Sequence, residues 1–129
     1  MYNSEWYQNL IKPPFAPPNW VFPPVWTVLY LMIFAALIIY SLKRNDDKKA
    51  GYIYFSAQMI LNLIWSPVFF LRKNIGLALL IVVLMNVFIF LTVREFYRKS
   101  KTAGTLLVPY QLWVLFAAYL NAGYFILNR

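Results

Sequence analysis

Residues 75–93 read IGLALLIVVLMNVFIFLTV, and this apolar run decides the class of protein. The run contains no Asp, Glu, Lys or Arg, and its most polar side chains are those of Asn86 and Thr92. As a helix it would measure about 28 Å, close to the roughly 30 Å hydrocarbon thickness of a bilayer. A soluble helix of that length needs a polar face, which this run lacks. The run therefore predicts a transmembrane helix.

Three further stretches have the same character, because each holds roughly 20 residues without a charged side chain between flanking Lys or Arg residues. A soluble four-helix bundle, the alternative, would expose large areas of hydrocarbon to water. The sequence therefore predicts an all-α integral membrane protein with four transmembrane helices, in a single domain of residues 1–129. The predicted spans cover about residues 22–42, 51–71, 75–93 and 105–127.

The composition argues against several classes of function. Cysteine and histidine are absent, so the chain offers no thiolate nucleophile, no imidazole base and no Cys or His ligand for zinc or haem. No ionisable Asp, Glu, Lys or Arg lies within a span, so ion-coupled transport lacks its usual groups. We therefore expect no metal site, no required cofactor and no hydrolytic active site. The net charge of +8 is carried beside the spans, which indicates membrane anchoring rather than nucleic-acid binding.

Lys and Arg are distributed unequally between the two sides of the predicted bundle. The first and third connections carry eight of the 12 basic residues, and the opposite side carries the rest. The positive-inside rule then places loops 43–50 and 94–104 in the cytoplasm, with the second loop and the C-terminus outside. This arrangement suits the plasma membrane of a bacterium.

A proline-rich segment precedes the first span. The sequence PPFAPP at residues 13–18 restricts the backbone to extended geometry, and Trp6 and Trp20 are residues that favour the membrane interface. Residues 1–21, called the lid segment below, are therefore predicted to form a semi-rigid interfacial loop.

Aromatic and amide side chains recur at helical spacing within the spans. Asn62 and Trp65 share one helix face, and Trp113, Ala117 and Asn121 share another. Flat aromatic walls with a few neutral hydrogen-bonding groups suit a large planar apolar ligand, such as a tetrapyrrole or a steroid. The alternative is that the amides bond between helices and the aromatic rings fill the bundle. The candidate ligand-binding residues are Trp26, Tyr30, Asn62, Trp65, Trp113, Ala117, Asn121 and Tyr124.

Two weaker patterns lie in the fourth span. Ala118 and Ala122 form a small-xxx-small pair of the kind that supports close helix contact, consistent with a homodimer. Leu120, Tyr124 and Arg129 match a loose sterol-contact pattern.

Three segments of the sequence resemble one known family. They are WYQNLIKPPFAPPNWVFPPVWTVLY at residues 6–30, QMILNLIWSPVFF at 58–70 and PYQLWVLFAAYLN at 109–121. Together they closely resemble the family of TspO, the tryptophan-rich sensory proteins and the mitochondrial translocator protein, also known as the peripheral-type benzodiazepine receptor. The resemblance implies a helical membrane bundle, often dimeric, that binds porphyrins such as protoporphyrin IX, sterols or benzodiazepine-type ligands. Family members have five transmembrane helices, and the helix that precedes the WY motif is not among these 129 residues.

Residue by residue, the resemblance makes Trp26 and Trp113 pocket tryptophans, Asn62 and Asn121 pocket amides, and Ala117 the small residue beside the ligand. It also implies that the lid segment covers the pocket, with Trp6, Pro18 and Trp20 as its contacts. The leading expectation is a receptor or carrier for a porphyrin or sterol-like ligand. Two alternatives stay open: a light- and oxygen-dependent porphyrin-degrading enzyme, in which Trp26 and Trp113 would react, and a structural membrane subunit.

Overall fold

All regular structure in the described part of the chain is helical. A computed structural model describes residues 5–42 and 48–128. A short helix, α1 (Glu5–Gln8), and a 3₁₀ turn (Asn19–Val21) lie in the lid segment. Four long helices follow, each long and apolar enough to cross a membrane, which confirms the predicted fold class. They are α2 (Phe22–Leu42), α3 (Lys49–Ser66), α4 (Ile75–Lys99) and α5 (Lys101–Leu127), and α3 continues into a π-helical turn (Pro67–Leu71).

The helices extend past the predicted spans mainly at their charged ends. α2 has the predicted limits, but α4 continues six residues beyond residue 93 and α5 begins four residues before residue 105. Long basic side chains can reach the headgroup region from a helix that is still partly in the membrane, so a charge marks the end of the apolar zone and not of the helix. Ser100 alone separates α4 from α5. Its N–H donates to the Phe96 carbonyl at 2.7 Å, and its Oγ accepts from the Ala103 N–H at 3.3 Å.

Proline has different effects in two helices. Pro67 lacks an N–H, and its carbonyl accepts from the Arg72 N–H at 3.0 Å, the five-residue spacing of a π turn. Pro109 lies inside α5, because that helix begins eight residues earlier at Lys101. The exposed position of Pro109 lets its ring face outward, as membrane helices tolerate.

The four long helices pack in the order α2, α5, α4, α3. α5 contacts α4 and α2 extensively, and α4 contacts α3, whereas α2 and α3 make few contacts with each other. Gly104 permits the close approach of α5 to α4, since a Cβ atom there would lie 2.6 Å from the Tyr97 Cα atom. The bundle is therefore an open arc with a groove between α2 and α3.

Aromatic residues fill both halves of the interior. In one half the rings of Tyr40 and Phe96 stack with centroids 4.1 Å apart. In the other half Tyr7 of the lid segment packs edge-on against Phe69 and Phe70. Many large apolar side chains on the outer faces of α2 to α5 are exposed, as expected for helices that contact lipid.

Candidate functional site

A chain of four hydrogen-bonded side chains joins three of the membrane helices. Tyr30 on α2 donates to Asn62 Oδ1 on α3. Asn62 Nδ2 donates to the Tyr110 hydroxyl on α5 at 2.7 Å, and that hydroxyl donates to Gln58 Oε1 at 2.6 Å. Polar groups within a bilayer need partners inside the protein because lipid offers none. These four hydrogen-bonded side chains satisfy that requirement and fix α2 and α3 relative to α5.

Three further amide side chains form hydrogen bonds within the protein. Asn121 Oδ1 accepts from the Trp65 indole N–H at 2.9 Å, and Asn121 Nδ2 donates to the Ile75 carbonyl at 3.0 Å. Asn86 Oδ1 accepts from Gln111 Nε2 at 2.9 Å. These bonds support the interpretation that the amides hold helices together. Direct contact of Asn62 and Asn121 with a ligand stays a prediction.

A small apolar cavity lies between α2, the end of α3, α5 and the lid segment. It encloses about 30 Å³, room for one water molecule, whereas pockets for drug-sized ligands measure about 300–1,000 Å³. A large planar ligand therefore requires side chains to move. The lining residues are Tyr7, Phe22, Trp26, Trp65, Phe69, Phe70, Trp113, Ala117, Leu120, Asn121 and Tyr124.

Trp113 carries an unused hydrogen-bond donor in this wall. Its ring meets that of Trp26 edge to face, with centroids 6.4 Å apart, and that of Phe22 at 5.8 Å. The Trp113 Nε1 atom is buried and has no acceptor among the described residues. A buried N–H without a partner is costly, so an acceptor atom on a bound molecule would be stabilised here.

The groove between α2 and α3 adjoins this cavity. It has a volume of about 300 Å³, and Trp26 and Trp65 line both spaces. Tyr30 and Asn62 lie in the groove rather than in the cavity. The two tryptophan side chains therefore lie between the small apolar cavity and the larger groove.

The lid segment is attached to the cavity by aromatic contacts. Tyr7 is buried, and its hydroxyl accepts from that of Tyr124 at 3.1 Å. The Trp6 ring packs on Phe69 with centroids 5.7 Å apart. Tyr7 and Phe69 both line the cavity, so part of the lid segment forms one of its walls.

A second attachment holds the lid segment to the end of α5. The Ile11 N–H donates to Asn128 Oδ1 at 2.9 Å, and Asn128 Nδ2 donates to the Ile11 carbonyl at 3.0 Å. Gly123 permits this docking, because a Cβ atom there would lie 2.4 Å from the Cβ atom of Pro13. The Tyr119 hydroxyl also donates to the Pro14 carbonyl at 2.6 Å, so several hydrogen bonds and one glycine place the lid segment against α5.

The structure brings most of the predicted site residues together. Six line the cavity, namely Trp26, Trp65, Trp113, Ala117, Asn121 and Tyr124, while Tyr30 and Asn62 line the groove with two of the tryptophans. In the lid segment, Trp6 lies beside the cavity wall. Pro18 is exposed and Trp20 is 74% exposed, and neither lines the cavity, so their role as a cover over a ligand stays a prediction.

The sterol-contact pattern falls partly inside the bundle. Leu120 and Tyr124 are buried and line the cavity, so they do not face lipid, and Arg129 lies outside the described residues. Ala118 packs against the core of the chain. The homodimer stays a prediction, as does the sidedness of the loops, part of which falls on residues 43–47 outside the described chain.

Sequence reasoning missed several wall residues and the centre of the hydrogen-bonded chain. Tyr7, Phe22 and Phe70 line the cavity, and Tyr110 bonds to two amides at once. Tyr110 stands in the motif PYQLW, beside the predicted Trp113, but nothing in its spacing distinguishes it from a packing tyrosine. Tyr7 reaches the cavity only because the lid segment folds back over α5.

The sequence of the chain is similar to those of one family of proteins. The sequence profile of the TspO/MBR family matches residues 1–127. The chain is 43% identical over 120 residues to "Tryptophan-rich protein TspO" of Chlorobaculum tepidum, covering 92% of this chain and 76% of that protein. It is 41% identical over 119 residues to "Tryptophan-rich sensory protein" of Cereibacter sphaeroides, covering 92% and 73%. It is also 34% identical over 119 residues to "Translocator protein" of Bos taurus, covering 90% and 70%.

Proposed function

Since the chain belongs to the TspO/MBR family of integral membrane proteins, we propose that it is a receptor or carrier for a porphyrin such as protoporphyrin IX, or for a sterol-like planar ligand. One observation carries the proposal: three of the five tryptophans meet around a single cavity, and one of them has a buried N–H without an acceptor in the described chain. Indole faces bind flat conjugated rings by stacking, and the free N–H supplies a directed contact.

The size of the cavity defines what must happen when such a ligand binds. The cavity has a volume of about 30 Å³ and the adjoining groove about 300 Å³, and among the described residues Trp26 and Trp65 are the two that line both. Rotation of these two side chains would join the spaces into a volume of the size that ligand pockets have. The ligand would then lie against the indoles, with Tyr30 and Asn62 at its edge.

Titration with protoporphyrin IX tests the proposal through the absorbance of the porphyrin, a signal independent of protein fluorescence. Replacing Trp26 and Trp113 together by Phe should weaken binding by roughly 30-fold, because each indole contributes on the order of 1 kcal/mol by stacking. The control is Phe90→Leu, which removes an exposed ring on α4 that lines neither the cavity nor the groove. Unchanged affinity in a well-folded double variant would show that the proposed pocket is wrong.

The second candidate function is light- and oxygen-dependent porphyrin breakdown. Trp26 is in ring contact with Trp113 at 6.4 Å and with Tyr30 at 5.8 Å, so oxidisable side chains adjoin one another where the porphyrin would sit. This candidate predicts loss of the porphyrin Soret band on illumination in air, and slower loss in the double Phe variant. Equal bleaching beside an unrelated membrane protein would eliminate it.

The third candidate is a structural subunit whose amides only pack helices. The hydrogen bonds of Asn62 and Asn121 within the chain favour this reading. It predicts that Asn62→Leu or Asn121→Leu impairs assembly, measured by size-exclusion chromatography with light scattering, in a protein that binds no porphyrin at any stage. Specific porphyrin binding by the unmodified chain contradicts it.

A further inference from the structure

A basic recess lies at one end of the bundle, where the π-helical turn ends, α4 begins and α5 ends. Its volume is about 370 Å³. Arg72, Lys73 and Asn74 separate two apolar spans, so the chain leaves the hydrocarbon here and the recess lies at the level of the lipid headgroups. Its lining shares no residue with the aromatic cavity or the groove. The lining residues are Arg72, Lys73, Asn74, Ile75, Gly76, Phe125 and Asn128.

The positive charge of the recess has no counter-charge in the part of the chain that the structure describes. Arg72 and Lys73 are exposed neighbours, and neither forms an ion pair there. At the opposite end of α4, by contrast, Arg98 pairs with Glu95 at 2.9 Å. The lining of the recess contains no acidic side chain. Two adjacent cations of this kind attract an anion and disfavour a positively charged group.

The amide oxygens of the recess are already engaged by backbone donors. Asn74 Oδ1 accepts from the Leu77 N–H at 3.0 Å, and Asn128 Oδ1 accepts from the Ile11 N–H at 2.9 Å. Neither oxygen therefore offers a strong site for an ammonium group on a ligand, and the recess favours a ligand of negative charge.

The backbone holds Lys73 in a conformation that is unfavourable for a lysine. Lys73 has φ of 54°, in the left-handed region, and the following Asn74 N–H donates to the Val68 carbonyl at 3.1 Å. Glycine is the usual residue where a helix ends in this way, because it has no Cβ atom. The Lys73 ammonium lies 5.9 Å from the centroid of the Trp6 ring, which holds the side chain beside the recess. A lysine at a position that favours glycine is accounted for if its charge binds a ligand.

Apolar side chains adjoin the two cations on the side of the hydrocarbon. Phe125 lines the recess and is exposed. Leu71, which directly precedes Arg72, is also exposed, as is Leu127 at the end of α5. A phospholipid has its phosphate at the headgroup level and its acyl chains in the hydrocarbon, so it fits both parts of this surface. A free phosphate ion would use the cations alone.

We infer that Arg72 and Lys73 bind the phosphate group of an anionic phospholipid, whose acyl chains lie against Phe125 and Leu71. A guanidinium group donates two parallel N–H bonds to a phosphate, and the ammonium group adds a point charge. Phosphatidylethanolamine carries an ammonium group beside its phosphate, which the two unpaired cations repel. The site therefore prefers phospholipids of net negative charge, such as phosphatidylglycerol, to zwitterionic ones. This inference does not depend on the ligand proposed for the aromatic cavity.

Native mass spectrometry of the full chain, released from detergent micelles, tests this preference. Dioleoylphosphatidylglycerol and dioleoylphosphatidylethanolamine, which have the same acyl chains, are titrated against the unmodified chain, the recess variant Arg72→Gln/Lys73→Gln and the control Arg94→Gln/Lys101→Gln. The control removes two exposed basic residues near the junction of α4 and α5 and lowers the net charge equally. The recess variant should lose roughly fivefold to tenfold in affinity for phosphatidylglycerol, as expected for two exposed charge pairs. The control should bind phosphatidylglycerol like the unmodified chain, and all three proteins should bind phosphatidylethanolamine alike.

A charge-conserving variant separates the loss of charge from a loss of structure. Arg72→Lys/Lys73→Arg should retain the preference for phosphatidylglycerol, and its loss there would show that the two charges are not the cause. Unchanged binding by the recess variant, or an equal loss in the control, would overturn the inference. Displacement of phosphatidylglycerol by the same concentration of glycerol phosphate would assign the recess to free phosphate esters and overturn it as well. The porphyrin titration tests the proposed function separately, so a failure of either is distinguishable from a failure of the other.

Discussion

Replacing Tyr110 by Phe removes one oxygen atom from the centre of the hydrogen-bonded chain that joins α2, α3 and α5. The ring of Tyr110 is buried, and Phe retains its shape, so no cavity forms. The hydroxyl accepts from Asn62 Nδ2 and donates to Gln58 Oε1, and the substitution removes both bonds. Because Gln58 is 1% exposed and Asn62 is 7% exposed, water cannot readily replace the lost partner.

The expected loss of unfolding free energy follows from those two bonds. An unsatisfied buried polar group costs about 1–3 kcal/mol in a soluble protein. Hydrogen bonds between membrane helices contribute less, about 0.6 kcal/mol on average and at most about 1.7 kcal/mol, because the unfolded chain in the membrane also finds partners. Two such bonds give an expected destabilisation of about 1–3 kcal/mol, with no change in helix content at zero denaturant.

Unfolding by SDS in dodecyl maltoside micelles, followed by circular dichroism, measures this difference. The control is Tyr52→Phe, since the Tyr52 hydroxyl donates to Ser41 Oγ at 2.8 Å on an exposed part of the chain. That control should stay within about 0.5 kcal/mol of the unmodified protein. The reasoning is refuted if Tyr110→Phe costs no more than the control, since the hydrogen-bonded chain would then contribute nothing to stability.

Two predictions concern the lid segment. Gly123→Ala should displace it, because the new Cβ atom would overlap Pro13. Limited proteolysis of the lid segment should then become at least several-fold faster. The control is Gly76→Ala, whose new Cβ atom would meet only a side-chain atom at 3.1 Å and which should leave the proteolysis rate unchanged. Asn128→Ala removes both hydrogen bonds to Ile11, so the Ile11 amide hydrogen should exchange about tenfold faster or more. Hydrogen exchange with mass spectrometry measures this rate. Exchange at the rate of the unmodified protein would show that the two hydrogen bonds do not hold the lid segment.

The composition of the predicted site followed from the sequence, but its geometry did not. Helical spacing placed Trp113, Ala117 and Asn121 on one face of a helix, and all three line one cavity. Spacing within a helix cannot say which side chains from different helices bond. Asn62 and Trp65 both line the groove, but Asn62 does not reach the cavity that Trp113 and Asn121 line, because Tyr30 and Tyr110 bind it from two other helices.

The sequence by itself determined that these residues contain four membrane spans with aromatic and amide stripes. The reason is local: a bilayer selects runs of about 20 uncharged residues, and the 3.6-residue turn of the helix fixes which side chains share a face. Only the tertiary structure decided that a groove lies between α2 and α3 and that Tyr7 folds back to line the cavity. It also brought the Lys73 ammonium within 5.9 Å of the centroid of the Trp6 ring in the lid segment. These features depend on contacts between residues that are distant in the chain, such as Tyr7 and Tyr124. Side-chain packing and the need to satisfy buried hydrogen-bonding groups select such contacts, and no local sequence pattern encodes them.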